Sequence, residues 1–343
     1  MQQIGPAPAA LVSGGDIAFG LFKGPVRSVN IAQSRPYRGA GRLRLKQWIG
    51  FTVDHPHWRF CVFVLEAAGV TAATAYALHR ASGRQVKRVR ALPAAAAPLA
   101  RFILDGTTEF RAPDLRIRMR HCADRGFHAI RVFAPHAPGS PGLRMDLTLD
   151  QNPESVSLLA ASLPLDRGRT MFTHKAPMAV RGAARADGQP VTFDPARDTA
   201  IMDEHRSFLH GPIRWTWCTC AGFTPDGRIA GVNLGDHPAI ADQQQWNENC
   251  LWLGTALEPL GPAVFSLAPG HPARPWLMGD AHGRARLAFF PDGRLTARHA
   301  LGNVRMDYCQ MSGRFRGTIA APSGEIVPVT DFFGVAETMN AHF

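Results

Sequence analysis

Trp215-Thr216-Trp217-Cys218-Thr219-Cys220, the turn Pro225-Asp226-Gly227 and the run Ile229-Ala230-Gly231-Val232-Asn233-Leu234 read together as one β-hairpin. Aromatic and small residues alternate in the first segment with period two, the period of a strand whose side chains point to opposite faces. Asp-Gly favours a tight turn because glycine tolerates positive φ and the aspartate side chain caps the backbone. Ser82-Gly83, Asp105-Gly106, Asp187-Gly188, Asp292-Gly293 and Ser323-Gly324 repeat this punctuation between other runs of strand character. Phe60-Cys-Val-Phe-Val-Leu65 is an unbroken apolar run suited to a core strand, and Ala67 to Ala77, interrupted by Gly69 and threonines, reads as extended. A short C-terminal helix is left open. Turns recurring between short strands predict an all-β chain of antiparallel sandwich or barrel type.

A chain of 343 residues has room for two domains of the usual ~100–200 residues. Hydrophobic residues at 45% and charged residues at 19% exclude wholesale disorder. No apolar run approaches the roughly 18 residues needed to cross a bilayer, so stable membrane insertion is not expected. The first twenty residues lack the basic start and apolar centre of a signal peptide, which makes the cytoplasm the expected compartment. Cys61, Cys122, Cys218, Cys220, Cys250 and Cys309 are scattered, with no Cys-x-x-Cys pair and no zinc-type ladder. Cys218 and Cys220 share a strand face and read as small buried hydrophobes.

The formal charge of +11 and pI near 10.1 raise the question of a nucleic-acid partner. Arg42-Leu-Arg-Leu-Lys46 and Arg116-Ile-Arg-Met-Arg120 carry much of the charge, with basic and apolar residues alternating. That is the pattern of a half-buried strand with a solvated basic face. No zinc finger, ribonucleoprotein box or helix-turn-helix accompanies it, so no nucleic-acid partner is expected. Such a surface also attracts anionic substrates or membrane surfaces, an attraction that salt weakens. Ala91-Leu-Pro-Ala-Ala-Ala-Ala-Pro-Leu-Ala100 would force two prolines into any helix and reads as a surface connection. A second boundary lies between Asp194-Pro195 and Pro212, leaving a C-terminal piece of the size of one barrel.

Polar residues of catalytic type crowd between 203 and 252: Asp203, Glu204, His205, Arg206, His210, Asn233, Glu248 and Asn249. Trp215, Trp217, Trp246 and Trp252 are interleaved with them. Trp215, Trp217 and Thr219 point to one face, where two indoles make a broad apolar wall. Asn233 interrupts an apolar strand and needs hydrogen-bond partners if buried. Each feature also has a purely structural account. The tryptophans serve equally as core, Asp203 and Arg206 as an ion pair at a strand end, and Glu248-Asn249 as a loop that caps backbone amides. His205 and His210 lack a third ligand at sensible spacing, so no metal is expected, and no phosphate or dinucleotide fingerprint implies a cofactor.

The spaced set Thr173-His-Lys175, Phe193-Asp-Pro195, Asp203, Arg206, Trp215-x-Trp217, Asp226-Gly-Arg228, Gly231-Val-Asn-Leu234, Glu248-Asn249 and Trp252 resembles the family catalogued as DUF2804. Leu45-Lys-Gln-Trp48 and Gly334-Val-Ala-Glu337, with the terminal aromatic Phe343, resemble that family's ends. The chain departs from the pattern after Arg206, where it carries Phe208-Leu209-His210. The layout is similar to that of tandem-lipocalin proteins, carotenoid hydratases among them. In those proteins an acidic motif closes the first barrel and a Trp-x-Trp strand opens the second. This resemblance implies two tandem lipocalin-like antiparallel β-barrels, 1–208 and 209–343, with a hydrophobic small-molecule ligand held in or between them.

It further implies cofactor-independent hydratase, dehydratase or isomerase chemistry, with non-catalytic carriage of the same kind of ligand as the alternative. Asp203 is the expected acid/base, kept protonated by burial, with Glu248, Arg206 and His210 completing the catalytic set. Trp215, Trp217, Trp252, His205, Asn233 and Asn249 are the expected substrate-binding residues. The sequence leaves the oligomeric state unassigned.

Overall fold

A computed structural model of the chain describes residues 2–37, 44–267, 270–301, 304–321 and 323–342. Arg42 and Leu43 of the first basic run, and Phe343, lie outside the described residues. Among those described, strands and a few short 3-10 turns account for the regular structure, and there is no α-helix. The C-terminal helix left open by the sequence is instead the strand Ile326–His342. All-β architecture is therefore the outcome, with two large sheets.

The first sheet has fourteen strands, drawn from Ile4–Pro6 to Thr199–Phe208. Its main path runs from Gln85–Pro93 through Val70–His79, Trp58–Ala67, Leu45–Asp54, Thr199–Phe208, Thr170–Ala186, Leu143–Asp150, Phe127–Ala134 and Leu115–Cys122 to Gly106–Ala112. The path curls into a nearly closed barrel, and arginine side chains span the gap between its ends. Arg88 donates to the carbonyls of Pro135, Ser140 and Pro141, and Arg90 pairs with Asp114. Phe51, Phe60, Phe110, Phe172 and Phe208 fill the interior with aliphatic neighbours. Alternation sets this up: Leu115–Cys122 reads buried-exposed throughout its first six residues, with Arg116, Arg118 and Arg120 outward as expected of the solvated basic face.

The second sheet has nine strands, from Pro212–Phe223 to Ile326–His342, and forms a half-barrel. The founding hairpin is present: Pro212–Phe223 pairs with Ile229–Asp236 across Asp226-Gly227, where Gly227 takes φ 85°. Ser82-Gly83, Asp187-Gly188 and Ser323-Gly324 also turn hairpins. Asp105-Gly106 instead leads into the strand Gly106–Ala112. Asp292-Gly293 does not turn the chain; it forms a bulge within the 17-residue strand Ala285–Leu301. There the Asp292 carboxylate is held by Arg80 and Ser312, so tertiary partners override a local turn signal.

The two sheets follow each other with only Leu209-His210-Gly211 between Phe208 and Pro212. Arg169 clamps this link by donating to the carbonyls of His210 (3.0 Å) and Pro212 (2.6 Å). Apolar clusters weld the seam, one joining Leu159 and Leu21 to Trp252 and Ile229, another joining Leu163 and Met171 to Ile213 and Ile240. All six cysteines are free thiols. Cys218 and Cys220 sit in the second core, where burial pushes the Cys220 thiol up to about 12. No helix among the described residues is long and apolar enough to cross a membrane.

Candidate active site at the seam

A narrow pocket of about 30 Å³ opens between the sheets, lined by Trp48, Lys175, Asp203 and His205 of the first and by Trp215, Trp217, His237, Glu248 and Glu337 of the second. Register explains who meets whom. Lys175 and Asp203 are directly opposite each other on neighbouring strands, as are His205 and Trp48. On the second sheet Gly235, Trp217, Glu337 and Gln310 form one cross-strand row over four strands. The two rows face each other, and the Lys175 ammonium lies 4.3 Å from the centre of the Trp217 ring.

Lys175 is 2% exposed, and its Nζ lies 2.6 Å from Asp203 Oδ1 and 3.5 Å from Glu248 Oε2. Burial alone would lower its pKa, but Asp203 and Glu248 outweigh that and raise it, so the ammonium is retained. Burial pushes the Asp203 carboxyl up, yet Lys175 and His205 hold it far below the usual carboxylate range. Trp48 Nε1 adds a donor to Asp203 Oδ2 at 2.9 Å. Glu248 behaves alike: burial raises it, and Lys175 and His237 bring it down to about 2. Its Oε1 is 3.2 Å from His237 Nε2, while Oε2 has no hydrogen-bond partner among the described residues. Asp203 keeps 26% of its side-chain surface open against 1% for Glu248, so an incoming molecule reaches Asp203 first.

Glu337 is set apart by its company. Trp215 Nε1 donates to Oε1 at 3.0 Å, and the Tyr308 hydroxyl (2.6 Å) and Gln310 Nε2 (3.0 Å) donate to Oε2. None of these donors is charged. Burial raises the Glu337 pKa, and the three hydrogen bonds recover only part of that shift. His205 stacks on Trp48 with ring centres 4.2 Å apart and presents Nε2 to Asp203 at 3.1 Å. Its Nδ1 has no partner among the described residues.

Asparagines hold the loop that delivers Glu248. Asn233 accepts from Trp217 Nε1 at 2.8 Å and donates to the Glu248 carbonyl at 3.0 Å. Asn249 accepts from Gly235 N and donates to the Gly261 carbonyl. Gly235 is required here: a Cβ would stand 2.7 Å from His237 Nε2 and 3.0 Å from Glu248 Oε1.

The structure thus brings Asp203, His205, Trp215, Trp217 and Glu248 together, with Asn233 directly behind Trp217 and Asn249 behind the Glu248 loop. Three expected residues lie elsewhere. Arg206 turns to the other face of its strand, where it pairs with Glu204 at 2.9 Å and donates to the Ala100 carbonyl. Trp252 is packed at the seam away from the pocket, its Nε1 on the Ser157 carbonyl. His210 lies in the link between sheets and does not line the pocket.

Lys175, Glu337, Trp48 and His237 joined the site without having been assigned a role. A lysine inside the apolar strand Thr170–Ala186 was the available signal, since lysine is rarely buried without a partner. No cluster of three or more His, Cys, Asp or Glu among the described residues is arranged to hold a metal ion.

The family model described as "Domain of unknown function (DUF2804)" matches residues 4–343. No curated protein matches the chain. Among solved structures, kievitone hydratase from Nectria haematococca aligns with TM-score 0.50 and 12% identity, over 87% of this chain and 88% of that one. A Nitrosomonas europaea protein assigned as AttH aligns with TM-score 0.48 and 13% identity, over 98% of this chain and 99% of that one. CghA aligns with TM-score 0.44 and 11% identity, over 100% and 97%. At these identities the likeness is one of fold.

Proposed function

The chain belongs to the DUF2804 family, and from that premise we propose that it is a cofactor-independent acid–base enzyme acting on a largely apolar small molecule at the seam pocket. The reaction class is addition, elimination or isomerisation at a carbon–carbon double bond, the class to which a hydratase such as the Nectria haematococca protein belongs. The supporting observation is that one pocket shifts the pKa values of its carboxyl groups in opposite directions. Lys175 keeps Asp203 and Glu248 ionised, while Glu337 sits among uncharged donors with its pKa raised. Environments that drive neighbouring carboxyls apart separate an acid from a base.

Glu337 is then the proton donor, a role that suits it better than Asp203, whose ammonium neighbour disfavours protonation. Asp203 orients His205 through Nε2, which leaves Nδ1 to accept a proton from water or substrate. Trp215 and Trp217 supply apolar walls whose ring faces stabilise a developing cation. Carriage alone is disfavoured by the character of the pocket. A carrier of an apolar molecule has no use for buried ionised groups, whereas Lys175, Asp203 and Glu248 line this pocket.

The test is incubation of the protein with a panel of isoprenoid and polyphenol alkenes in H₂¹⁸O and in D₂O, followed by mass spectrometry. Isotope incorporation is expected, and Glu337→Gln and Asp203→Asn should each reduce it ~10²–10⁴-fold. Unchanged incorporation in both variants, or a retained ligand with no incorporation in any form, sinks the reading.

A further inference from the structure

Three places on the outer face of the first barrel set arginine directly against arginine on adjacent strands: Arg111 with Arg116, Arg118 with Arg131, and Arg144 with Arg185. Like charges directly opposite in a sheet destabilise it, so their repetition on one face calls for a counter-ion. Two of these pairs belong to a single row across five strands, Arg111–Arg116–Phe133–Arg144–Arg185. At ~4.8 Å per strand that row is about 19 Å long. At its centre Phe133 is 47% exposed.

Acidic relief on this face is limited. Glu109 pairs with Arg111, Asp146 with Arg131 and Asp150 with Arg181. Arg116, Arg118, Arg120 and Arg144 make no ion pair among the described residues. Eight arginines against three carboxylates leave this face at +5, close to half of the formal net charge of +11. Every cation is arginine, whose planar fork binds phosphate oxygens in pairs and does not titrate near neutrality.

We infer that this face docks on the phosphate headgroups of an anionic phospholipid bilayer, with Phe133 seated at the headgroup boundary. A convex barrel wall with an exposed aromatic at its centre suits a flat, deformable, partly apolar surface. The open cavity at its edge is lined by Arg125, Arg181 and Arg228 but also by Asp150 and Glu154, a mixture of signs that does not suit a polyanion backbone. The inference stands whether or not the seam pocket is catalytic.

The experiment is sedimentation of the full chain with vesicles of phosphatidylcholine, and with vesicles of an equal mixture of phosphatidylcholine and phosphatidylglycerol. Binding only to the mixed vesicles is expected, lost in about 1 M NaCl where screening acts within about 3 Å and unchanged between mildly acidic and neutral pH. The exposed pair Arg116→Glu/Arg144→Glu should weaken binding at least about a hundredfold, and Phe133→Ser about fivefold. A charge-matched pair on the second sheet, Arg298→Glu/Arg305→Glu, should leave it unchanged. No binding to mixed vesicles at low salt overturns the inference, as does equal loss in the charge-matched pair. Tighter binding to RNA or DNA than to vesicles also overturns it and assigns the face to nucleic acid.

Discussion

Two buried charge clusters bridge the sheets, and each is built on the same plan: one cation of the first barrel holds a carboxylate of its own sheet and one from across the seam. In the pocket Lys175 holds Asp203 and Glu248. At the other cluster Arg80 holds Asp54 at 2.6 Å and Asp292 at 2.5 Å. The difference lies in what is left over. Arg80 spends Nε on the His55 carbonyl, both terminal nitrogens on carboxylates and its flat face on Phe333, 4.1 Å away. Lys175 makes one short hydrogen bond, and around it stand Glu248 Oε2 and His205 Nδ1 without hydrogen-bond partners. A saturated cation is a staple, whereas a cation with unsatisfied neighbours beside an opening can receive a ligand.

Removing each cation tests this contrast. Lys175→Met strands two buried carboxylates and should cost about 3–5 kcal/mol in urea unfolding at neutral pH, and it should abolish turnover. The pH dependence should invert. In the native chain Asp203 and Glu248 have folded-state pKa values below their unfolded ones. Their contribution is therefore present above pH ~4 and is lost as pH falls, for Glu248 through about 2. Without Lys175, burial raises both, so the deficit should be largest at neutral pH and narrow on acidification. A deficit that grows with acid would contradict the pairing.

Arg80→Met comes next, at about 3 kcal/mol, and should leave isotope exchange at the pocket unchanged. If Arg80→Met abolished exchange and spared stability, the roles of the two clusters would be reversed.

The contrast also marks what the sequence could say. Strands and most hairpins were legible because they depend on period-two alternation and on turn dipeptides. Asp292-Gly293 misled because the bulge is held by Arg80, 212 positions away. Asp203, Trp215, Trp217 and Glu248 stood out as a polar and aromatic crowd within fifty residues. Glu337 lies 122 positions from the indole that binds it, and its significance arises from a cross-strand row that no local window contains. Arg206 misled for the opposite reason. Three positions along a strand from Asp203, it faces the other way, and sequence proximity concealed that parity.

The smallest expected effect tests the assignment of Glu337. Trp215→Phe keeps the apolar wall and deletes one donor to the carboxyl, a loss of about 1 kcal/mol. That donor favours the ionised form, so its removal should raise the Glu337 pKa further. A carboxyl whose folded pKa exceeds its unfolded one adds stability at low pH that is lost as pH rises through the folded value. The deficit of Trp215→Phe should therefore widen with rising pH, the same sign as for Lys175→Met but much smaller, since one neutral donor is lost rather than a buried ammonium. Infrared titration of the protonated carboxyl stretch, with Glu337→Gln to identify the band, should show it persisting to higher pH in Trp215→Phe. A band unmoved by the substitution would mean that the indole does not control the proton on Glu337, and the division of the pocket into acid and base would lose its footing.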